Sequence, residues 1–130
     1  MAADAPTDRI LLVEDDPDLR EAMTELLESE GYEVDTAAEG QAAFEQMRSS
    51  PPDLILLDLM LPVMDGFEFR VRQMQEPRLA AIPVIVFSGG GDLEQKAASL
   101  HAAACFAKPI DVARLLEVID QGVKTSPVRH

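Results

Sequence analysis

The sequence alternates short apolar runs with amphipathic segments, and this alternation limits the possible folds more than any other feature. Five apolar runs occur, at residues 10–13, 32–36, 54–57, 82–87 and 105–107. Runs of this length are typical of strands in a parallel sheet whose helical connections cover both faces. The pattern therefore predicts an α/β fold built from five strands.

Apolar residues between these runs recur every three or four positions, which predicts five helices lying against the sheet. The stripes are Leu19, Met23, Leu26 and Leu27; Ala43, Phe44 and Met47; Phe67, Val71 and Met74; Leu93, Ala97, Leu100 and Ala104; and Val112, Leu115, Leu116, Ile119 and Val123. We expect each stripe to face the sheet. Asp16, Asp92 and Asp111 precede three of these helices and are predicted to cap their N-termini.

The length of 130 residues suits a single domain. We assign residues 8–124 to this domain and expect flexible tails at 1–7 and 125–130. No stretch approaches the ~18 apolar residues that a membrane span requires.

The charge of the chain limits its partners. Twenty-four acidic against 11 basic side chains give a formal charge of −13, which repels nucleic-acid phosphates and anionic lipid. We therefore expect no direct binding to nucleic acid or membranes. Cys105 is the only cysteine, so no internal disulfide is possible, and the composition suits the reducing cytoplasm.

Chemically reactive side chains follow the apolar runs. In an open parallel α/β sheet, ligands bind beyond the carboxyl ends of the strands, so these side chains are expected to share one edge. They are Glu14, Asp15 and Asp16 after the first run, Asp58 after the third, Ser88 after the fourth, and Lys108 with Pro109 after the fifth. Crowded carboxylates repel unless a cation lies among them, and Mg²⁺ prefers such oxygen ligands.

This set of groups suits phosphoryl transfer. The Asp58 carboxylate is the candidate nucleophile, because a carboxylate can accept a phosphoryl group as an acyl phosphate. Lys108 would neutralise phosphate oxygens, and the Ser88 hydroxyl would donate a hydrogen bond to another.

Taken in order, these motifs resemble the response-regulator receiver domains of bacterial two-component signalling. The resemblance rests on residues 10–16 (ILLVEDD), on 54–62 (LILLDLMLP) with Met64, Asp65 and Gly66, on Ser88, and on Lys108 with Pro109. It implies a flavodoxin-like, doubly wound, three-layer α/β/α fold with five parallel strands in the order 2-1-3-4-5 and five helices. We expect a stand-alone receiver of the single-domain type.

The resemblance also implies a role for each matching residue. Asp58 matches the phosphoacceptor, and Ser88 and Lys108 match the phosphate-binding hydroxyl and lysine. Magnesium would be coordinated by Asp15, Asp58 and the backbone carbonyl of Met60, with Glu14 acting mainly through water. The bond before Pro109 is a candidate cis peptide, whereas Asp16 is interpreted as a helix cap.

Family membership would also define the partners. The phosphoryl donor would be a phosphohistidine on a sensor histidine kinase or a histidine phosphotransfer protein, and the receiver would catalyse only its own phosphorylation and dephosphorylation. The output would pass to an unknown downstream protein through the face formed by the fourth helix, fifth strand and fifth helix, residues 92–123. Without an output domain, the chain would not bind DNA itself.

Two departures from the family pattern concern this output. Ser88 and Lys108 are 20 positions apart, two fewer than is usual in the family, so the fourth helix or its loops must be shorter. Cys105 occupies the position of the family's aromatic switch residue, and strand alternation directs Phe106 to the opposite face. We therefore expect a switch without an aromatic rotamer change. Gly89, Gly90 and Gly91 suit either a mobile switch loop or a loop that absorbs the shorter interval.

One alternative function stays open at this point. A pseudo-receiver would keep the fold and bind proteins without being phosphorylated, and Cys105 and the shortened interval favour it. A metal-dependent phosphatase or nuclease would need a second acidic residue in an Asp-x-Asp arrangement, which residues 58–60 (DLM) lack.

Overall fold

The computed structural model describes residues 9–89 and 91–121. Five strands form one parallel sheet in the order β2-β1-β3-β4-β5. They are β1 (Arg9–Val13), β2 (Glu33–Ala37), β3 (Leu54–Asp58), β4 (Val84–Ser88) and β5 (Ala104–Ala107). The predicted α/β class and strand order are confirmed. The tails predicted at 1–7 and 125–130 lie outside the described residues, as do Val123 and both ends of the predicted domain.

Six helices connect and cover these strands in the described part of the chain. They are α1 (Pro17–Ser29), α2 (Gly40–Ser49), α3 (Gly66–Met74), α4 (Pro77–Ala80), α5 (Leu93–Ser99) and α6 (Val112–Asp120). The prediction of five helices missed α4, because four residues are too few to show an apolar period. The predicted fourth and fifth helices therefore correspond to α5 and α6. No helix among the described residues is long and apolar enough to cross a membrane.

The sheet separates two apolar layers because successive strand side chains point to opposite faces. Ile10 and Leu12 of β1 pack with α1 and α6, whereas Leu11 and Val13 pack with α2, α3 and α5. Every residue of the central strand β3 is buried. This double covering places the carboxyl ends of β1, β3, β4 and β5 along one edge.

Helix α3 does not present the face that its apolar stripe predicts. Val71 and Met74 are 53% and 46% exposed, whereas Phe69, Arg70 and Gln73 are buried. The side chains of Arg70 and Gln73 point inward because they satisfy backbone carbonyls: Arg70 donates to Leu100 and His101, and Gln73 donates to Leu79 and Ile82. A pattern of apolar residues does not detect this use of polar side chains.

The helix termini agree with the capping predictions at two of three positions. Asp16 accepts hydrogen bonds from the first turn of α1, and Asp111 accepts one from the backbone of Arg114 in α6. Asp92 precedes α5 but is left-handed, with φ of 58°, and makes no side-chain cap bond. The predicted extension of the fourth apolar stripe to Ala104 is also wrong, because α5 ends at Ser99 and Ala104 begins β5.

Candidate functional site

The carboxyl ends of four strands bring the predicted site residues to one edge of the sheet. Glu14 follows β1, Asp58 and Ser88 end β3 and β4, and Lys108 follows β5. Backbone hydrogen bonds continue past the strands and hold this edge: the Glu14 amide donates to the Ala37 carbonyl, and the Lys108 amide donates to the Ser88 carbonyl. The groups are therefore positioned by the sheet itself.

Lys108 bridges two buried carboxylates. Its Nζ lies 2.9 Å from Asp58 Oδ2 and 3.0 Å from Glu14 Oε1. Glu14 is fully buried and Asp58 is 1% exposed, whereas the Lys108 side chain is 27% exposed. Burial lowers the pKa of the Lys108 ammonium, but its contacts with the carboxylates of Asp58 and Glu14 outweigh burial and raise the pKa overall. Lys108 is thus held in its charged form.

The two oxygens of Glu14 have different partners. Oε2 accepts a hydrogen bond of 2.9 Å from the backbone amide of Asp16, which orients the carboxylate. Oε1 forms the ion pair with Lys108 but is buried without a hydrogen bond among the described residues. Burial raises the pKa of Glu14, against the opposing effect of the Asp16 and Lys108 contacts. A buried, incompletely satisfied carboxylate oxygen is a suitable acceptor for a further cation or water.

The loop after Asp58 is held close to its carboxylate. Asp58 Oδ1 accepts a hydrogen bond of 2.9 Å from the backbone amide of Met60. The amide of Gly66, the first residue of α3, donates to the carbonyl of Leu59. A Cβ at Gly66 would lie 2.8 Å from the Cα of Leu59, so only glycine permits this approach. Helix α3 therefore begins directly against the loop that carries the site.

Three carboxylates at this edge can hold a divalent cation. Glu14, Asp15 and Asp58 offer oxygens that all lie within 4.8 Å of one another, with Asp15 exposed at the opening. Three carboxylates against the one ammonium of Lys108 leave a formal local charge of −2. The hard oxygen donors, the unbalanced charge and the incompletely satisfied Glu14 Oε1 all fit Mg²⁺. Met60 has a 61% exposed side chain, and its carbonyl stays a predicted ligand.

One contributing residue was missed by sequence analysis. Arg20, in the first turns of α1, donates from Nη1 to the backbone carbonyls of Glu14, at 2.8 Å, and Asp15, at 3.4 Å. It holds the acidic loop through its backbone rather than its carboxylates. A basic residue soon after an acidic loop was the one available signal, and such residues are common on exposed helices.

The residues predicted to serve the switch lie at or near this edge. Ser88 is buried at the end of β4. Cys105 packs with the layer that contains α5, and Phe106 packs with the layer that contains α1 and α6, so the predicted alternation is confirmed. The peptide bond between Lys108 and Pro109 is cis. Gly90, in the middle of the predicted glycine loop, lies outside the described residues.

Comparison with known proteins identifies a single family. The family model of the response regulator receiver domain matches residues 10–120. Sporulation initiation phosphotransferase F of Bacillus subtilis is 34% identical over 116 residues, which cover 86% of this chain and 90% of that protein. Protein Rrf1 of Nitratidesulfovibrio vulgaris is 33% identical over 117 residues, which cover 90% of this chain and 83% of that protein.

Longer relatives match over only part of their length. The DNA-binding dual master transcriptional regulator RpaA of Synechocystis is 38% identical over 113 residues, which cover 83% of this chain but 46% of that protein. The chain thus spans about half the length of this curated relative.

Solved structures share the fold. A putative response regulator from Chloroflexus aurantiacus superimposes with a TM-score of 0.82 at 30% identity, covering 92% of this chain and 98% of that one. Chemotaxis response regulator CheY4 of Vibrio cholerae gives a TM-score of 0.81 at 27% identity, with 88% and 98% covered.

Proposed function

Because the chain belongs to the response regulator receiver domain family, we propose that it is a phosphoacceptor switch of a two-component phosphorelay. Asp58 receives the phosphoryl group. The observation that carries this proposal is the contact of Lys108 with Asp58 and Glu14 at the carboxyl edge of the sheet. The carboxylates of Asp58 and Glu14 and the ammonium of Lys108 lie within reach of one another, which supports a proposed nucleophile, a second acidic group and a cation for phosphate oxygens.

In the proposed reaction, a carboxylate oxygen of Asp58 attacks the phosphorus of a phosphohistidine. The new O–P bond forms as the N–P bond of the donor breaks, and the imidazole keeps the bonding electrons and takes up a proton. Lys108 supplies positive charge beside the attacked group. The amide of Met60 holds the Asp58 carboxylate in a fixed orientation before the attack. In this proposal the protein catalyses only its own phosphorylation and dephosphorylation.

In this proposal, acidic groups at the carboxyl edge would also bind a metal ion. Glu14, Asp15, Asp58 and the carbonyl of Met60 would hold Mg²⁺, with Glu14 acting mainly through water. When bound, the ion supplies positive charge to the phosphoryl oxygens. Arg20 positions the backbone of both acidic residues.

The output follows from the charge that the reaction introduces. Phosphorylation replaces the single negative charge of the Asp58 carboxylate with a phosphoryl group that carries about two, and the Ser88 hydroxyl on the neighbouring strand can donate a hydrogen bond to a phosphoryl oxygen. Movement of the loop after Ser88 would then alter α5 and the face it forms with β5 and α6, changing partner binding. Because Cys105 replaces the aromatic residue and Phe106 faces the other layer, this change occurs without an aromatic rotamer switch.

The partners follow from the same chemistry. The donor is a sensor histidine kinase or a histidine phosphotransfer protein in the cytoplasm, and an unknown downstream protein binds the output face. Since the chain is strongly acidic, we expect neither nucleic acid nor membrane to be a direct target.

The decisive experiment is an intact-mass measurement after incubation with acetyl phosphate and Mg²⁺. We expect a gain of one phosphoryl group that is lost in Asp58→Asn and in the presence of a chelator. Asp16→Asn is the matched control, because it removes a neighbouring carboxylate, while asparagine still caps α1. This variant should be phosphorylated like the wild type.

The alternative, a phosphorylation-independent pseudo-receiver, predicts a different outcome. The presence of Cys105 at the aromatic position is the observation that favours it. No mass gain with acetyl phosphate, or with a panel of phosphorylated kinases, would contradict the switch and leave a protein-binding module.

A further inference from the structure

A second candidate site lies between α3 and α5, away from the carboxyl edge of the sheet. A cavity of about 280 Å³ opens there, lined by the C-terminal half of α3 and the end of α5. We call it the α3–α5 pocket. Its lining includes Arg70, Val71 and Met74 on one side and Leu100 and His101 on the other. None of these residues belongs to the carboxyl edge.

Arg70 forms the cationic floor of this pocket. The residue is only 6% exposed, and its guanidinium donates to the carbonyls of Leu100, at 2.8 Å, and His101, at 3.1 Å, and to the side chain of Gln73, at 2.7 Å. All three acceptors are uncharged, and among the described residues no carboxylate pairs with Arg70. Burial lowers its pKa. A buried cation whose charge is balanced only by dipoles favours a nearby anion.

The lining of the pocket differs in charge from the rest of the protein. The chain carries 24 acidic residues, yet among the described side chains none that is acidic lines the pocket. Its α3 side is apolar, because Val71 and Met74 remain about half exposed there, whereas Gln75, Ser99 and His101 contribute polar groups. An occupant that combines an apolar side chain with a negative charge would therefore complement both features.

We propose that the α3–α5 pocket is a docking site for a segment of a partner protein that carries an aliphatic side chain beside a carboxylate. At about 280 Å³ the cavity lies just below the ~300–1,000 Å³ typical of small-molecule sites, so it suits one anchoring side chain rather than a whole ligand. The aliphatic group fills the cavity, Val71 and Met74 cover it, and the carboxylate compensates Arg70. The site does not depend on phosphorylation of Asp58.

The test uses the unphosphorylated, ¹⁵N-labelled chain and two blocked peptides, acetyl-Glu-Leu-Leu-Glu-amide and acetyl-Gln-Leu-Leu-Gln-amide. We expect the acidic peptide to cause saturable shifts of amide resonances in α3 and α5. The neutral peptide should bind at least about tenfold more weakly, the ratio expected for loss of a charge-assisted hydrogen bond. 4-Methylpentanoate is the third probe and should bind more weakly than the acidic peptide.

A pair of surface variants tests the location. Val71→Glu places a carboxylate in the lining, where it repels the acidic peptide, and should weaken binding about tenfold. Val63→Glu is the matched control, because Val63 is 86% exposed outside the pocket, and it should leave binding unchanged. Both positions are exposed, so neither substitution disturbs the core.

Several outcomes would overturn the proposal. They are no saturable binding, equal affinity for both peptides, shifts that map outside α3 and α5, or equal loss of binding in the two variants. Binding of 4-methylpentanoate at least as tight as that of the peptide would identify a small-carboxylate site instead. Sedimentation at each titration point excludes self-association as the source of the shifts, and dimerisation confined to this face would also contradict the proposal.

Discussion

Among the described residues, the partly buried Lys108 and the buried Arg70 are two cations whose surroundings differ sharply. Lys108, at the carboxyl edge of the sheet, contacts the carboxylates of Glu14 and Asp58. Arg70, between α3 and α5, contacts two backbone carbonyls and one side-chain amide. At the edge, negative charge exceeds positive charge, whereas the partners of Arg70 among the described residues are all uncharged dipoles. The carboxyl edge is therefore suited to binding a further cation, and the contacts of Arg70 are suited to holding the end of α5 in place.

Side-chain chemistry explains this division. The lysine ammonium is a compact charge on a flexible stem and can turn from one oxygen to another, as an incoming phosphoryl group requires. The arginine guanidinium is a planar fork that holds several acceptors in fixed directions. Arg70 uses it at the C-terminal end of α5, where the helix dipole favours a cation. The ion pairs of Lys108 can therefore rearrange when a phosphoryl group arrives, whereas the hydrogen bonds of Arg70 hold α3 and the end of α5 in a fixed arrangement.

The largest expected loss of stability comes from replacing Arg70. Arg70→Met leaves the buried carbonyl of Leu100, the part-buried carbonyl of His101 and the side chain of Gln73 without their donor, and we expect a loss of about 3 kcal/mol in the free energy of unfolding. Added Mg²⁺ should not recover this loss. Urea denaturation with and without Mg²⁺ measures both quantities. Arg72→Met, which removes only an exposed ion pair with Glu68, should change stability by about 0.5 kcal/mol or less.

A smaller loss of stability is expected when Lys108 is replaced. Lys108→Met leaves Glu14 and Asp58 together without their counter-ion, which should cost about 2 kcal/mol in metal-free buffer. We place the value below the range for fully buried pairs because the Lys108 side chain is 27% exposed. Mg²⁺ should recover part of this loss, since a cation can replace the missing charge. Equal destabilisation of Lys108→Met with and without Mg²⁺ would remove the proposed distinction between the two cations.

The wild-type chain should itself respond to Mg²⁺. A ligand that binds only the folded state at ten times its dissociation constant stabilises it by about 1.4 kcal/mol. Asp15→Asn removes an exposed candidate ligand and should shift the Mg²⁺ dependence of thermal unfolding to higher concentration. Glu21→Gln on α1, an exposed carboxylate outside the cluster, serves as control and should leave the titration unchanged.

The pH dependence of stability provides the most subtle test. Because burial raises the pKa of Glu14 from its ordinary 4.5, the folded state retains a proton that the unfolded state has already lost. This contribution to stability is present below pH 4.5 and is lost as the pH rises through the folded-state value. In the presence of a chelator, the free energy of unfolding of Glu14→Gln should therefore increase relative to that of the wild type as the pH rises from 4.5 through the folded-state pKa of Glu14. Glu28→Gln, at an exposed position on α1, should run parallel to wild type, and an equal gain there would contradict the prediction.

Sequence analysis was most successful where the pattern reports backbone topology. The five apolar runs predicted the strands, the resemblance to receiver domains implied their order, and the residues that follow the runs came together at one edge. It failed on α3, because Val71 and Met74 were assigned to the sheet face that Arg70 and Gln73 occupy. Periodicity counts apolar groups, whereas these two polar residues are buried by hydrogen bonds to carbonyls distant in the chain. Arg20 was missed for the same reason, since its contacts are to backbone atoms.

The sequence by itself determined the fold class and the identity of the groups at the carboxyl edge, because short apolar runs separated by amphipathic segments predict a parallel sheet covered by helices. The strand order came from the resemblance to receiver domains. The tertiary structure alone decided how charge is distributed among those groups. It placed Lys108 between Glu14 and Asp58, and it left Arg70 without a carboxylate among the described residues. Ion pairing and desolvation depend on distances of a few ångströms between residues far apart in the chain, and no local pattern encodes them.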